Sequence, residues 1–307
     1  MSEGHWARLR ALWPGAWILL PVPFLLHGVW VAEGGRFRWD NAAMIALVLA
    51  LFWTGPRTKK LLLGVYPLGM VAVLYDTMKL VQNVGLGPDR IHVCDLRALE
   101  IRFFGVTVRG QPATVHDWFQ GHSTPLLDLV CAVPYGTFLM VSFACAVWLY
   151  FRDYRRMLQF TWSFLALNLA AWTTYHLYPA APPWYFHAHG CVVDALARPS
   201  AGPNLTRVDG WLGVAYFAGM YGRASSVFGA MPSLHVAYAL LVVVAGWSTF
   251  GWTLRSAAVL FFLLMAFSAA YLDHHWVLDI VAGIAYCAGV AGVARWITRR
   301  ALAPEPS

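Results

Sequence analysis

Eight apolar stretches recur along the chain, at roughly 12–32, 39–55, 61–83, 125–150, 157–178, 231–250, 256–272 and 276–296. About 20 apolar residues make a helix long enough to cross a bilayer. Lipid offers no partner to a bare peptide group, so such stretches fold as helices. The expected fold class is therefore all-α, a polytopic membrane helical bundle of about eight transmembrane helices. The second stretch is the weakest, because its apolar part, Asn41 to Thr54, is short and also suits a re-entrant segment. The first is too long for a signal-peptide core, and no small-residue cleavage site follows it. A β-barrel would show alternation, whereas these runs are continuous. Charged residues make up only 12% of the 307, against about 25% in a soluble domain. That excludes a soluble enzyme and a disordered chain.

The net charge of +7 resembles a nucleic-acid signature, but the basic residues follow the positive-inside bias of membrane proteins instead. With the N-terminus inside, Arg8, Arg10, Arg57, Lys59, Lys60, Arg152, Arg155, Arg156, Arg255, Arg295, Arg299 and Arg300 all fall on the inner face, 12 of the 22 Lys and Arg. Arg36 and Arg38 are the exceptions in a short outer loop, and Lys79 sits near an outer helix end. The implied organisation is two N-terminal transmembrane helices over 1–60, then a catalytic core over 61–307 with outer segments 84–124 and 179–230. No nucleic-acid partner is expected, and the oligomeric state is left open.

Segment 84–124 contains an apolar stripe, Leu96, Leu99 and Phe103, opposed by Asp95, Arg97, Glu100 and Arg102. That pattern predicts a short helix on the membrane surface or an ordinary packed loop helix. Trp118 and Phe119 suggest a second interfacial anchor. Ser123-Thr124-Pro125 supplies a cap and an early proline for the fourth span. Cys131, Cys145 and Cys287 lie inside apolar spans as inert core residues. Cys94 and Cys191 both fall in outer segments and pair only if that side is oxidising and the fold brings them together.

Ionisable groups within spans are costly and usually functional. Here Asp76, Lys79, Asp128, His176, His235, His275 and Asp279 gather at outer ends. Two clusters carry chemistry. In Phe228-Gly229-Ala230-Met231-Pro232-Ser233-Leu234-His235, Pro232 suits a helix's first turn. Ser233 and that turn's free N–H groups suit an anion, with His235 beside it. In Tyr271-Leu272-Asp273-His274-His275-Trp276-Val277-Leu278-Asp279, His275 and Asp279 share a helix face. A carboxylate there takes one ring N–H and leaves the other nitrogen free to attack. His274 points elsewhere. A lone membrane histidine is more often a packing residue, and His235, His275 and Asp279 also make a conceivable zinc set. The Pro-Ser turn favours phosphate over metal, so neither a metal nor a cofactor is expected.

Pro232-Ser233-Leu234-His235 and Ser268-x6-His275-x3-Asp279 resemble the second and third motifs of the type-2 phosphatidic acid phosphatase superfamily. Within it, the sequence is most similar to the inositol phosphorylceramide synthase (aureobasidin A target) family. Ala181-Pro182-Pro183-Trp184-Tyr185, Arg207-Val208-Asp209, Val227 to His235, and Tyr271-Leu272-x-His274-His275-x-x-x-Asp279 carry that likeness. The resemblance implies a six-helix phosphatidic-acid-phosphatase-like core. It also implies a phosphohistidine mechanism: His275 attacks, Asp279 orients it, and His235 protonates the leaving diacylglycerol oxygen and then takes the acceptor's proton. It implies phosphatidylinositol as donor and a ceramide-like lipid alcohol as acceptor. The expected setting is a bacterial cell membrane or Golgi membrane, with the site on the extracytoplasmic side.

The sequence departs from the wider superfamily at Leu234, where Gly is usual, at Ala269, where Arg is usual, and in Tyr175 to Pro183, which lacks the first motif's cations. A phosphomonoester with charge near −2 needs such cations more than a phosphodiester does, which favours transfer over hydrolysis. Ser233, Arg207, Asp209, Trp184, Tyr185, Arg223 and His176 are the expected substrate-binding residues, with Arg207 preferred over Arg223 for phosphate and Asp209 facing a polyol hydroxyl. The alternatives are a lipid phosphate phosphatase using water and a transporter using the buried His and Asp as a relay.

Overall fold

The computed structural model describes residues 19–301 except 36, 38, 82 and 83. Residues 12–18 of the first expected span, Arg8, Arg10, Arg36 and Arg38, and the side chains of Lys79, Arg299 and Arg300, lie outside the described residues. Helices dominate: α1 (Val22–Glu33), α2 (Trp39–Thr54), α3 (Pro56–Val81), α4 (Cys94–Phe104), α5 (Val115–Gln120), α6 (Pro125–Arg152), α7 (Tyr154–Leu177), α8 (Pro183–His189), α9 (Gly202–Leu212), α10 (Tyr216–Tyr221), α11 (Leu234–Gly246), α12 (Trp252–Tyr271) and α13 (Val277–Ala301). The chain is a polytopic helical membrane protein. Each expected span, so far as its residues are described, falls on a helix. Among the described residues, α3, α6, α12 and α13 are long and apolar enough to cross a membrane by themselves, while α1, α2 and α11 are shorter apolar helices. Helix α7 is long but more polar. It seats Asn168 internally, where its amide donates to Phe164 O and its carbonyl accepts from the Tyr238 hydroxyl.

The chain forms two compact units, Met1–Leu74 and Tyr75–Ser307, that divide within α3. In the first, Phe24, Val48, Phe52, Leu62 and Val73 form the core. In the second, α11 lies at the centre and packs against α6, α7, α12 and α13. Its start presses onto α13 at Gly283, where a Cβ would stand 2.4 Å from Ser233 O. Any larger residue there would push the two helix starts apart.

The outer segments are built, not loose. A short hairpin, β1 (Val106–Val108) with β2 (Gln111–Ala113), interrupts the all-α pattern. Backbone bridges join His92 to Ala180 and Ala180 to Gly229, and a Cys94–Cys191 disulfide ties the two outer segments. The α4 stripe is used differently from expectation. Leu96 and Glu100 form the fully buried face, while Leu99 and Phe103 are exposed. Glu100 is buried because it caps another helix, accepting the Val277 and Leu278 N–H groups at 2.9 and 3.1 Å. A carboxylate is favourable at a helix's positive end, and burial still raises the Glu100 pKa. Thr124 caps α6 as expected, accepting the Leu127 N–H. Of the second expected anchor, Trp118 is exposed, but Phe119 packs into the core against Tyr271.

Candidate active site

His235 lies in the first turn of α11, behind Ser233 as N-cap. His275 lies in the tight turn between α12 and α13. The two imidazoles meet, His235 Nδ1 to His275 Nε2, at 3.2 Å. His275 Nδ1 lies 2.9 Å from the Ala230 carbonyl and 3.7 Å from Asp279 Oδ2. The shorter contact is the hydrogen bond, so the Nδ1–H donates to Ala230 O. Asp279 sits beyond hydrogen-bonding reach as a nearby negative charge, and its Oδ2 accepts the Trp276 N–H at 2.8 Å. The expected orienting role of Asp279 is thus shared with a backbone carbonyl. That carbonyl is fixed in turn, because Ala230 N–H donates to Ala180 O. The outer segments therefore set the tautomer that leaves His275 Nε2 with a lone pair facing His235.

The turn itself is held from above. The carbonyl of His275 accepts from His116 Nε2 at 2.9 Å. Burial pushes the His116 pKa down to about 4, so it is a neutral donor at ordinary pH. His187 bridges two carboxylates, Asp273 Oδ2 at 2.6 Å and Asp117 Oδ1 at 3.1 Å. Burial disfavours charge on His187, but the two carboxylates outweigh it and raise its pKa. Asp117 also caps α5 with Thr114 and pairs with Arg97. These bonds hold its carboxyl down at about 2, against the opposing effect of burial. Sequence reasoning missed Glu100, His116, Asp117 and His187 as supports. Only the Thr114-x-x-Asp117 capping pattern signalled one of them.

Aromatic rings wall the pair. Tyr135 stacks on His235 with centroids 4.5 Å apart, and Phe138 meets it edge-on. Tyr221 stacks on His274, whose Nε2 bonds Ala201 O. The hydroxyls of Tyr135 and Tyr221, Ser268 Oγ and Asp279 Oδ1 are buried without a hydrogen-bond partner. Such groups are rare in folded proteins, and here four of them gather around the two histidine turns. Among the described residues, no group of three or more His, Cys, Asp and Glu is placed to hold a metal ion.

A family model for the PAP2 superfamily matches residues 108–293, which contain both histidine turns. The chain belongs to the PAP2 superfamily. Among curated relatives of this PAP2 protein, the phosphoinositol dihydroceramide synthase of Bacteroides thetaiotaomicron is 34% identical, over 80% of this chain and 81% of that protein. The inositol phosphorylceramide synthase of Candida albicans is 26% identical over 78% of this chain and 49% of its own length. The catalytic subunit of the Saccharomyces cerevisiae synthase is 26% identical over 80% and 59%. No solved structure matches the chain.

The expected substrate-binding residues of the PAP2 chain occupy varied positions. Ser233 is fully buried and its Oγ accepts the Val236 N–H, as a helix cap. Arg207 donates through Nε and Nη2 to Asp128 Oδ2 at 3.0 and 2.8 Å, while part of its side chain stays exposed. Asp128 also accepts from Tyr271 and Asn204. Asp209 is buried, and its two oxygens accept the Phe217 and Ala218 N–H groups. Tyr185 donates to Val192 O and accepts from Asp194 N. Trp184 and Tyr185 are both buried. Arg223 and His176 are exposed, and the His176 carbonyl takes the Arg90 guanidinium. Ala269, at the superfamily's arginine position, is completely buried.

Proposed function

We propose that the protein moves a phosphorylated headgroup, phosphoinositol in the best-supported case, from a glycerophospholipid to a ceramide-like lipid alcohol and releases diacylglycerol. The observation that carries the chemistry is the facing His275 Nε2 and His235 Nδ1, with the His275 Nδ1–H already occupied. A phosphodiester entering this site replaces the direct contact between the rings. His275 Nε2 attacks phosphorus, the diacylglycerol oxygen leaves with a proton from His235, and a phosphorylated His275 remains. The acceptor hydroxyl then gives its proton to His235 and attacks phosphorus, freeing His275. Asp279 stabilises positive charge on His275.

Neutral donors suit the charge of this substrate. A phosphodiester carries charge −1, and the hydroxyls without a partner belong to Tyr135, whose ring stacks on His235, and Tyr221, whose ring stacks on His274. They stabilise the phosphoryl oxygens in the transition state, while Arg207, held by Asp128, helps to shape the site. The named substrates of the curated relatives support this reading over hydrolysis of a phosphomonoester. The basic residues favour a site on the extracytoplasmic side of a bacterial or Golgi membrane. Impermeant labelling of a cysteine at Gly190, with none at Thr58, tests that orientation.

The activity test supplies purified protein with labelled phosphatidylinositol, with and without ceramide. Transfer yields a labelled sphingolipid together with diacylglycerol. Release of labelled inositol phosphate that ceramide does not redirect would indicate hydrolysis. The absence of any product would support the transporter reading.

A further inference from the structure

Between Asp209 and Arg223 the chain reads Gly-Trp-Leu-Gly-Val-Ala-Tyr-Phe-Ala-Gly-Met-Tyr-Gly, with no charged residue and no polar side chain beyond two tyrosines. Every residue from Gly210 to Tyr216 is exposed, including Trp211 at 48%, Leu212 at 56% and Val214 at 50%. A continuous exposed apolar patch of this kind marks an interaction surface.

Its position identifies the partner. Helices α9 and α10 form a hairpin along α6. Both feet of the hairpin meet His274, through Ala201 O and the Tyr221 ring. Arg207 reaches Asp128, near the start of α6. The Tyr216 hydroxyl donates to Gly136 O at 2.6 Å, and the Tyr216 and Phe217 rings lie against Gly136. At 1.5 Å per residue, Gly136 lies about 16 Å along a helix about 42 Å long. Exposed Val133, Leu139 and Met140 flank that level. They have the character of lipid-facing residues on a spanning helix.

The hairpin pairs part of its backbone internally, which lowers the cost of entering lipid. The Asp209 carbonyl takes the Gly213 and Val214 N–H groups, its carboxylate takes those of Phe217 and Ala218, and Gly219 and Gly222 bond within α10. Gly213 makes the reversal at φ +66, a conformation glycine adopts without penalty.

We infer that α9–α10 is a re-entrant hairpin whose tip, Trp211 to Tyr216, lies among the acyl chains of the leaflet on the active-site side. Its inner side carries Phe217 into the core cluster that contains Tyr135, the ring stacked on His235. Its outer side is then a surface for the tails of a lipid whose phosphate reaches His275. This second role rests on the proposed lipid phosphodiester substrate.

The test places a cysteine at Leu212 in the full chain, labels it with a polarity-sensitive fluorophore and reconstitutes the protein in phosphatidylcholine vesicles. The other cysteines are disulfide-bonded or buried. Acyl-chain-brominated lipid should quench this label strongly and aqueous iodide should barely do so, with the reverse for a label at Arg198. Iodide quenching at Leu212 as strong as at Arg198 overturns the insertion. In a second arm, Leu212→Asp should slow a long-chain, membrane-dispersed donor roughly tenfold relative to a short-chain, water-soluble donor. Equal loss on both donors overturns the tail contact. A wild-type protein that turns over neither donor contradicts the proposed transfer, while the quenching result still decides insertion.

Discussion

The two histidine turns and the outer stretch from Ala181 to Asp209 both carry family-like sequence, yet their polar atoms have different uses. Around the turns, His275 Nε2 meets only His235, and the hydroxyls of Tyr135 on α6 and Tyr221 on α10 and one Asp279 oxygen have no partner. In the outer stretch, the Tyr185 hydroxyl, both Asp209 oxygens and two Arg207 nitrogens already have protein partners. Folding consumes the bonding capacity of one region and leaves that of the other open. Substrate chemistry belongs where capacity remains, and the outer stretch acts by shaping that place.

The contrast breaks most visibly if the histidines are dispensable. His275→Ala and His235→Ala should each lower turnover by at least the roughly 10²–10⁴-fold assigned to a proton-transferring group. The double variant should be little worse than His275→Ala, because residues acting as one unit are not additive. Initial rates of lipid transfer measure this, and near-normal turnover in His275→Ala would remove the assignment.

A smaller effect should follow from one leftover oxygen. Tyr135→Phe keeps the ring stacked on His235 and removes only the hydroxyl. If that hydroxyl meets the transition state, turnover falls by about 10²-fold with little change in KM. An unchanged rate would make Tyr135 a packing residue.

Asp209 sharpens the comparison from the other side. Asp209→Ala removes both caps of α10 and should cost about 1 kcal/mol of stability, while the preference order among donor headgroups stays the same. A reordered preference, measured over several headgroups, would return Asp209 to the substrate.

The smallest effect concerns pH. The raised pKa of His187 means that its bridge to Asp117 and Asp273 is complete below its unfolded value of about 6.5 and weakens as pH rises through the folded value. Asp117, with a pKa of about 2, stays charged throughout, and neighbouring Arg97 keeps its positive charge. The stability advantage of wild type over His187→Gln should therefore narrow above pH 6.5 in thermal melts. A constant difference would contradict the charged bridge.

The helical class, the chief helices and the two histidine turns were legible in the sequence for a clear reason. Apolar run length and a histidine four residues before an aspartate are local patterns. The supports were not legible, because they act across long separations. Glu100 caps a helix that begins at Val277, and Ala230 O orients His275 through a carbonyl that no residue identity encodes. The α4 stripe misled for the same reason, since the distant positive end of α13 drew Glu100 inward. Arg207 and Asp209 looked available for a ligand only while Asp128 and the α10 N–H groups were out of view.

The central claim is that His275 carries the phosphoryl group, and trapping that group tests it most directly. Purified protein is incubated with phosphatidylinositol alone, quenched and digested, and the peptides are weighed by mass spectrometry. The account predicts a phosphoinositol adduct on His275 that appears with diacylglycerol, disappears when ceramide is added, and is absent from His275→Ala. An adduct on His235 in its place, or transfer at full rate in His275→Ala, would contradict it.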